Sequence, residues 1–348
     1  RVGGAVSPEP ASAHAAAAEL GIGAERSYAD CNGMAKAEAA RTDGSDAVSI
    51  VAPNHLHGPI AEAFLAHDIS IICDKPMTAT LAQAESLVDA AEASKGRFFL
   101  THNYTGYPMI RQAKAMIAAG EIGKIRVVQV EYPQDWLTEA SENDGLKQAE
   151  WRTDPERSGV GGSVGDIGTH AYNLACFVSG LRATELAADL QSFVPGRQLD
   201  DNAHMMLRFD GGACGMLWSS QVAPGNENGL KLRIYGETGG LEWKQEDPNY
   251  LWHTPFGQPK QLITRGGAGS GPQAAAVSRI PPGHPEGYLE GFSNIYSGIA
   301  DAIEAVRAGD PLPADADLLP GIQAGLDGMS FINACVMSSA NNAAWTKV

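Results

Sequence analysis

Lys75, Asp166 and His170 are the residues of this chain whose types and settings best suit joint chemistry. Lys75 closes the run Ile69 to Pro76, I-S-I-I-C-D-K-P, whose apolar and small residues predict a buried parallel strand. In an open α/β sheet, ligands bind beyond the carboxyl ends of the strands, which puts Asp74 and Lys75 at a ligand edge, and Pro76 fixes φ so that the chain turns there. Gly161, Gly162 and Ser163 precede Asp166 and His170, which stand four apart. A helix from Asp166 to Val178 would set both side chains on one face at its N-terminal end. Hydride transfer to or from a carbinol carbon needs an acid or base for the hydroxyl proton. A histidine serves, a lysine beside the same oxygen orients it or shares the proton, and a carboxylate holds the hydroxyl or tunes the pair. Taken singly, these are a surface lysine at a strand end and an N-cap aspartate followed by a core or solvated histidine.

A further cluster follows the buried strand expected from Ala47 to Pro53: Ala52, Pro53 and Asn54, then His57. Backbone amides and the asparagine side chain could meet a cofactor there. Alone, the segment reads as a strand-to-helix turn with Asn54 as N-cap.

The surrounding pattern predicts how these residues are positioned. Arg1 to Pro10 reads as a strand and a turn, with Gly3 and Gly4 inside the strand pattern, and Ala11 to Leu20 reads as a helix capped by Gly21. Strand 47–53, a helix from Ile60 to His67 and strand 69–76 form a βαβ unit with a right-handed crossover. A helix from Thr78 to Ser94 and a strand ending near Asn103 continue the alternation, which implies a doubly wound parallel sheet. Beyond Pro108 a helix, Met109 to Ala119, leads to the alternating strand I-R-V-V-Q-V-E-Y and a polar loop from Leu137 to Gln148. Residues 182–264 read as successive strands in an antiparallel or mixed sheet, with D-G-G at 210–212 as a hairpin signal. Residues 265–287 are expected to form a long loop, followed by helices from Leu289 to Ala308 and from Pro320 to Ser338. Residues 1–107 are thus assigned to a dinucleotide-binding domain. Residues 108–348 are assigned to an α+β domain for substrate and assembly, whose last helices pack back toward the first.

With 348 residues, the chain has room for two domains. It is 44% hydrophobic and 19% charged, with neither an eighteen-residue apolar run nor a signal-peptide pattern, so a cytoplasmic protein is expected. A net charge of −16 without a basic patch disfavours nucleic acid and anionic membrane. Cys31, Cys73, Cys176, Cys214 and Cys335 are scattered and lack CxxC spacing, so no disulfide framework or metal site is expected.

The motifs strand-A-P-N-x-x-H, strand-D-K-P and G-G-x-x-x-D-x-x-x-H, at these separations, resemble the Gfo/Idh/MocA family of glucose–fructose oxidoreductase and inositol dehydrogenase over essentially the whole chain. The resemblance implies an α/β Rossmann-like domain plus an α+β domain with a large, mostly antiparallel open sheet. It also implies an NAD- or NADP-dependent dehydrogenase acting on CH–OH groups of a sugar, polyol or sugar derivative. The family's E-K-P lysine, aspartate and histidine fall on Lys75, Asp166 and His170, with Asp74 in place of the usual glutamate. Asn103 falls in the nicotinamide region, and the family's W-R pair on Trp151 and Arg152. Tyr104 stands where the family often has arginine. With Asp135 and the G-H-P-E-G-Y residues His284 and Tyr288, it is a candidate substrate contact, although that motif also reads as a loop-to-helix junction with Glu286 near the dipole.

The family's G-x-G-x-x-G unit is not found, so the sequence is read as starting at the second strand of an N-terminally incomplete nucleotide domain. Ser7 then stands where NAD enzymes carry an acid for the ribose, a position that admits NADP. Two other functions share these features: NAD-dependent, redox-assisted glycoside hydrolysis, and non-catalytic binding on the same fold. Large residues such as Trp218 and Trp243 on the late sheet predict a homodimer or homotetramer through its uncovered face.

Overall fold

The computed structural model describes residues 4–7 and 10–348. The part of the expected first strand from Arg1 to Gly3 lies outside them.

The first domain alternates strand and helix. It runs β1 (Ala5–Val6), α1 (Pro10–Glu19), β2 (Ser27–Tyr28), α2 (Cys31–Ala39), β3 (Ala47–Ile50), α3 (His57–Leu65), β4 (Ser70–Cys73), α4 (Leu81–Ala93) and β5 (Phe98–Leu100). β3, β4 and β5 pair in parallel with β4 central, and β1 pairs in parallel with β2. β4 is buried along its whole length, as expected for a run of small and apolar residues in the middle of a parallel sheet. Two boundaries differ from the sequence reading. α3 begins at His57 rather than Ile60, and α4 begins at Leu81 because Thr80 and Gln83 close a capping box, each side chain bonding the other's backbone N–H. Asn54 is not an N-cap, since Pro53 precedes the short 3-10 turn Asn54–Leu56.

The second domain follows with α5 (Pro108–Ala118), β6 (Ile125–Pro133), α6 (Lys147–Arg152), α7 (Pro155–Ser158), α8 (Thr169–Ser179), β7 (Ala183–Gln191), β8 (Asn202–Phe209) and β9 (Cys214–Ser220). β10 (Lys231–Gly236), β11 (Gly239–Lys244), β12 (Tyr250–Pro255) and β13 (Gln261–Thr264) precede α9 (Pro272–Ala276), α10 (Tyr288–Ala308), α11 (Ile322–Ala340) and β14 (Thr346–Lys347). Among the described residues these strands form a nine-stranded sheet in the order β13-β12-β11-β10-β6-β9-β8-β7-β14. Each pair in it is antiparallel except β6 with β9. Asp210–Gly212 joins β8 to β9 as the hairpin pattern predicts.

One face of this sheet packs on α5, α8 and α11, burying Val128, Val130, Leu217, Leu232 and Leu241. Trp243 also lies on this face at 2% exposure, beside Tyr107, which corrects its assignment to the uncovered face. Trp218 is on that other face, stacked on His204. The last helices reach the first domain: α10 sets Ile295 and Ile299 against Ile72 and Phe99, and α11 packs on α4. The expected long loop, 265–287, contains α9 and is held by buried Arg265, which donates to the carbonyls of Ile280, Pro281 and His284. No described helix is long and apolar enough to cross a membrane.

Candidate active site

Between the domains, the end of β4 meets the start of α8. The Lys75 ammonium donates to Asp166 Oδ1 at 2.7 Å and also to the Asp166 backbone carbonyl. Asp166 lies in a π-type turn, Val164–Gly168, that runs directly into α8, not in the regular helix expected from the sequence. Asp200 shapes the approach to this turn. Its Oδ1 accepts from Gly162 N at 2.7 Å, its Oδ2 from Val164 N at 2.8 Å, and its backbone carbonyl from Ser163 N. Gly162 is required by this approach, because a Cβ there would lie 2.1 Å from the Asp200 carbonyl oxygen.

The second oxygen of Asp166 accepts from Gln221 Nε2 at 2.8 Å and faces Arg152 Nε at 3.4 Å. Burial alone would raise this carboxyl. The charges of Lys75 and Arg152, with their hydrogen bonds, outweigh it and hold the pKa down at about 2. Asp166 is therefore a saturated carboxylate, engaged on both oxygens by protein donors.

His170 stands in the first turn of α8, its ring edge-on to His102 at 5.4 Å and to Tyr104 at 5.0 Å. Its Nδ1 is buried without a hydrogen-bond partner. Burial, then the Lys75 charge and the neighbouring His102, drive its pKa well below the usual imidazole value. At neutral pH it is an uncharged imidazole.

These groups line a cleft of about 380 Å³. Among the residues expected at a site, Asp74, Lys75, Asn103, Tyr104, Arg152, Asp166, His170 and Tyr288 line it together. Thr101 donates to Asp74. Trp151 is not in the lining; its ring lies 4.2 Å from the Arg152 guanidinium and supports it.

The other expected residues stand elsewhere. Asp135 accepts from Gly225 N at 3.0 Å, and His284 is exposed in the loop held by Arg265. Ser7 follows β1, where its amide bonds Tyr28 O. Ala52, Pro53, Asn54 and His57 lie after β3, outside the cleft lining. The His57 ring is buried between the carbonyls of Pro76 (2.8 Å) and Ala52 (2.7 Å), so it ties two strand ends together instead of facing a ligand. Asn54 donates to Ser158 O, leaving its Oδ1 buried and unpartnered.

Sequence reasoning missed Tyr132, Gln134, Trp136, Gln148, Asn228 and Phe292 in the lining, and Gln221 behind Asp166. The only signal for the first three was the polar and aromatic run Y-P-Q-D-W at the end of β6.

Two orphaned polar atoms suit a dinucleotide's amide or hydroxyl groups. Asn103 Nδ2, at the end of β5, and Asn54 Oδ1, beyond β3, are both buried without partners at the carboxyl ends of parallel strands. Among the described residues, no group of three or more His, Cys, Asp or Glu is placed to hold a metal. A second cavity of about 390 Å³ is lined by residues including Tyr172, Cys176, Arg182 and Asp327, of which Arg182 and Asp327 pair with each other at 3.4 Å.

The chain was compared with known proteins. A family model described as oxidoreductase family, NAD-binding Rossmann fold matches residues 1–102. The GFO/IDH/MocA C-terminal domain model matches residues 110–242. The uncharacterised oxidoreductase YfiI of Bacillus subtilis is 35% identical over 332 residues, 94% of this chain and 84% of that protein. The crystal structure of an oxidoreductase from Sinorhizobium meliloti is 56% identical, with TM-score 0.89 over 99% of this chain and 92% of that one. An inositol dehydrogenase homolog from Azotobacter vinelandii, complexed with NADH and myo-inositol, is 35% identical, with TM-score 0.91 over 100% of this chain and 89% of that one.

Proposed function

Because the chain belongs to the GFO/IDH/MocA oxidoreductase family, with its NAD-binding Rossmann fold, we propose that it transfers a hydride between nicotinamide and a carbinol carbon of a sugar, polyol or sugar derivative. The observation that carries this reading is the Lys75–Asp166 pair, 2.7 Å across the domain boundary, in one cleft with a neutral His170. The myo-inositol bound by the Azotobacter homolog is a polyol of the class proposed.

Asn54, Asp74 and Asn103, with the backbone of Ala52 and Pro53, would hold the cofactor at the strand ends. Bound there, the nicotinamide would supply the hydride acceptor or donor. The protein's own part concerns the hydroxyl proton. An ammonium beside the substrate oxygen favours its alkoxide form, and Lys75 is fixed in direction by Asp166. His170, with no charge of its own, offers a lone pair to the hydroxyl proton. The surroundings that keep His170 neutral also disfavour its imidazolium, so the proton is held only briefly before it moves on or returns.

Asp166 is assigned to positioning Lys75 and not to holding the substrate, since its oxygens already face Lys75, Gln221 and Arg152. The assembly is read as a homo-oligomer formed through the uncovered face of the nine-stranded sheet.

The test is cofactor reduction by the purified protein with NAD and NADP against sugars and polyols. Lys75→Met and His170→Asn are each expected to lower kcat by roughly 10²- to 10⁴-fold, the usual weight of general acid–base groups. Turnover unchanged in both variants would remove the assignment.

A further inference from the structure

One wall of the cleft, formed by Tyr104, Tyr132, Gln134, Trp136 and Asn228, carries uncharged hydrogen-bonding groups whose directions follow from one residue. Trp136 Nε1 can only donate, and it lies 3.1 Å from Gln134 Oε1. Gln134 must therefore present its carbonyl to Trp136 and its amino group to Asn228, where Nε2 donates to Oδ1 at 2.9 Å. Tyr132 Oη meets the same Asn228 Oδ1 at 2.7 Å, so Tyr132 donates there. Its hydroxyl hydrogen is then used, and Tyr104 must be the donor in the Tyr104–Tyr132 contact. On its other side, Asn228 Nδ2 donates to Gln245 Oε1 at 2.6 Å and toward Tyr104 Oη at 3.4 Å. Gln245 Nε2 in turn faces Tyr107 Oη at 3.3 Å. Every amide in this circuit has one orientation compatible with its neighbours, and the indole at its end decides which.

The remaining capacity can be counted. Tyr132 Oη, Tyr104 Oη and Gln134 Oε1 each keep a lone pair, and Gln134 Nε2 keeps one N–H. All three residues line the cleft. Burial pushes both phenols up, so they remain uncharged. The wall thus offers mainly acceptors. A substrate hydroxyl can donate to them, whereas a carboxylate or phosphate, which only accepts, would set oxygen lone pairs against oxygen lone pairs. The cations in the same cleft do not reverse this preference. Lys75 and Arg152 are matched in the same lining by the carboxylates of Asp74 and Asp166; Lys75 gives two of its three N–H groups to Asp166 and keeps one for the reacting hydroxyl, and Arg152 faces Asp166 with Nε while Nη1 donates to Gln148.

We propose that Trp136 directs a one-way hydrogen-bond circuit through Gln134, Asn228 and Tyr132, and that this circuit makes the wall select hydroxyl donors over anionic sugar derivatives. The inference rests on the sugar or polyol dehydrogenase reading. It concerns binding preference, so it can fail separately from that reading, which concerns turnover.

The experiment measures binding by calorimetry to the NAD-loaded protein, with myo-inositol and glucose as neutral probes and glucuronate and glucose 6-phosphate as anionic ones. The unmodified protein is expected to bind at least one neutral probe more tightly than both anionic ones. Trp136→Phe keeps an aromatic ring but frees Gln134 to turn over. It is expected to shrink the neutral-to-anionic ratio by roughly tenfold, about the worth of one directed hydrogen bond, with NAD affinity and melting temperature as controls for folding. In turnover, its KM should rise more than its kcat falls. An anionic probe bound more tightly by the unmodified protein would overturn the proposal, and that measurement decides even if the variant fails to fold. A folded Trp136→Phe with an unchanged ratio would overturn it equally. Neutral binding without any cofactor reduction would instead remove the dehydrogenase reading and leave the wall's selectivity standing.

Discussion

Asp166 shows how a residue's partners define its work. With donors on both carboxylate oxygens, it serves to aim Lys75, and Asp166→Asn should behave as a positioning defect. The expected result is a kcat loss of about 10²-fold with NAD affinity within about twofold, measured by steady-state kinetics and cofactor titration. The same carboxylate links stability to acid. Its folded pKa of about 2 lies below the unfolded value near 3.9, so its contribution is fully present above that unfolded value and is lost as pH falls through about 2. Denaturant melts of wild type and Asp166→Asn at pH 7 and near pH 2 should show a gap on the order of 2 kcal/mol that closes in acid. His170 gives a kinetic counterpart. Because burial and Lys75 keep its imidazole neutral, the acid limb of kcat/KM should fall clearly below pH 6.5, and a limb at the ordinary histidine value would contradict its proposed environment. Lys75, Asp166 and His170, the residues proposed for the chemistry, could be singled out in the sequence because a strand-end lysine and an i, i+4 pair are local patterns, and the structure brings them into one cleft. Tyr132, Gln134 and Asn228 could not be singled out, because only strand pairing and a loop fold bring them to the cleft.

At the scale of elements, the site depends on how tightly the turn before α8 is held. Gly162→Ala would drive a Cβ into the Asp200 carbonyl and displace the segment that carries Asp166 and His170. We expect this variant to lose stability by about 1–3 kcal/mol, read from urea melts, and to lose turnover more than its melting alone explains. The spacing of Asp166 and His170 suggested one helix face, but the chain reaches α8 through a π-type turn, a distortion that periodicity does not disclose. α2 went unread because C-N-G-M-A-K-A-E-A mixes poor helix formers with alanine. Its start is fixed by the Asp30 side chain accepting from Gly33 N. The composition of 265–287 correctly suggested a loop. It did not reveal that Arg265 and Glu286, a buried ion pair 3.3 Å apart, organise the loop from inside.

For the whole molecule, the helices cover one side of the nine-stranded sheet and leave the other with Met206 at 53% and Met216 at 56% exposure, near the stacked His204 and Trp218. Paired Met206 and Met216 make an apolar centre, flanked by ion pairs such as Lys231–Glu131. Such a face fits a self-complementary interface. Sedimentation at micromolar concentration should find an oligomer, and the double variant Met206→Glu, Met216→Glu should shift it toward monomer while keeping a cooperative melt. A wild-type monomer would remove the proposed interface. In the sequence, the change of hydrophobic period near residue 108 is what suggests a division into two domains. The return of α10 and α11 onto the first domain is tertiary packing, in which Ile295 and Ile299 meet Ile72 and Phe99 more than 190 residues away in sequence. That packing helps to bring the two halves of the cleft together.

The most direct measurement of the central claim is single-turnover reduction of NAD, followed by absorbance, with myo-inositol and a panel of neutral sugars, in wild type and in folded Lys75→Met and His170→Asn variants. Reduction by at least one neutral polyol in wild type, slowed by roughly 10²-fold or more in each variant at unchanged cofactor affinity, is the predicted result. Equal reduction rates in all three proteins would contradict the assignment of Lys75 and His170 to the chemistry.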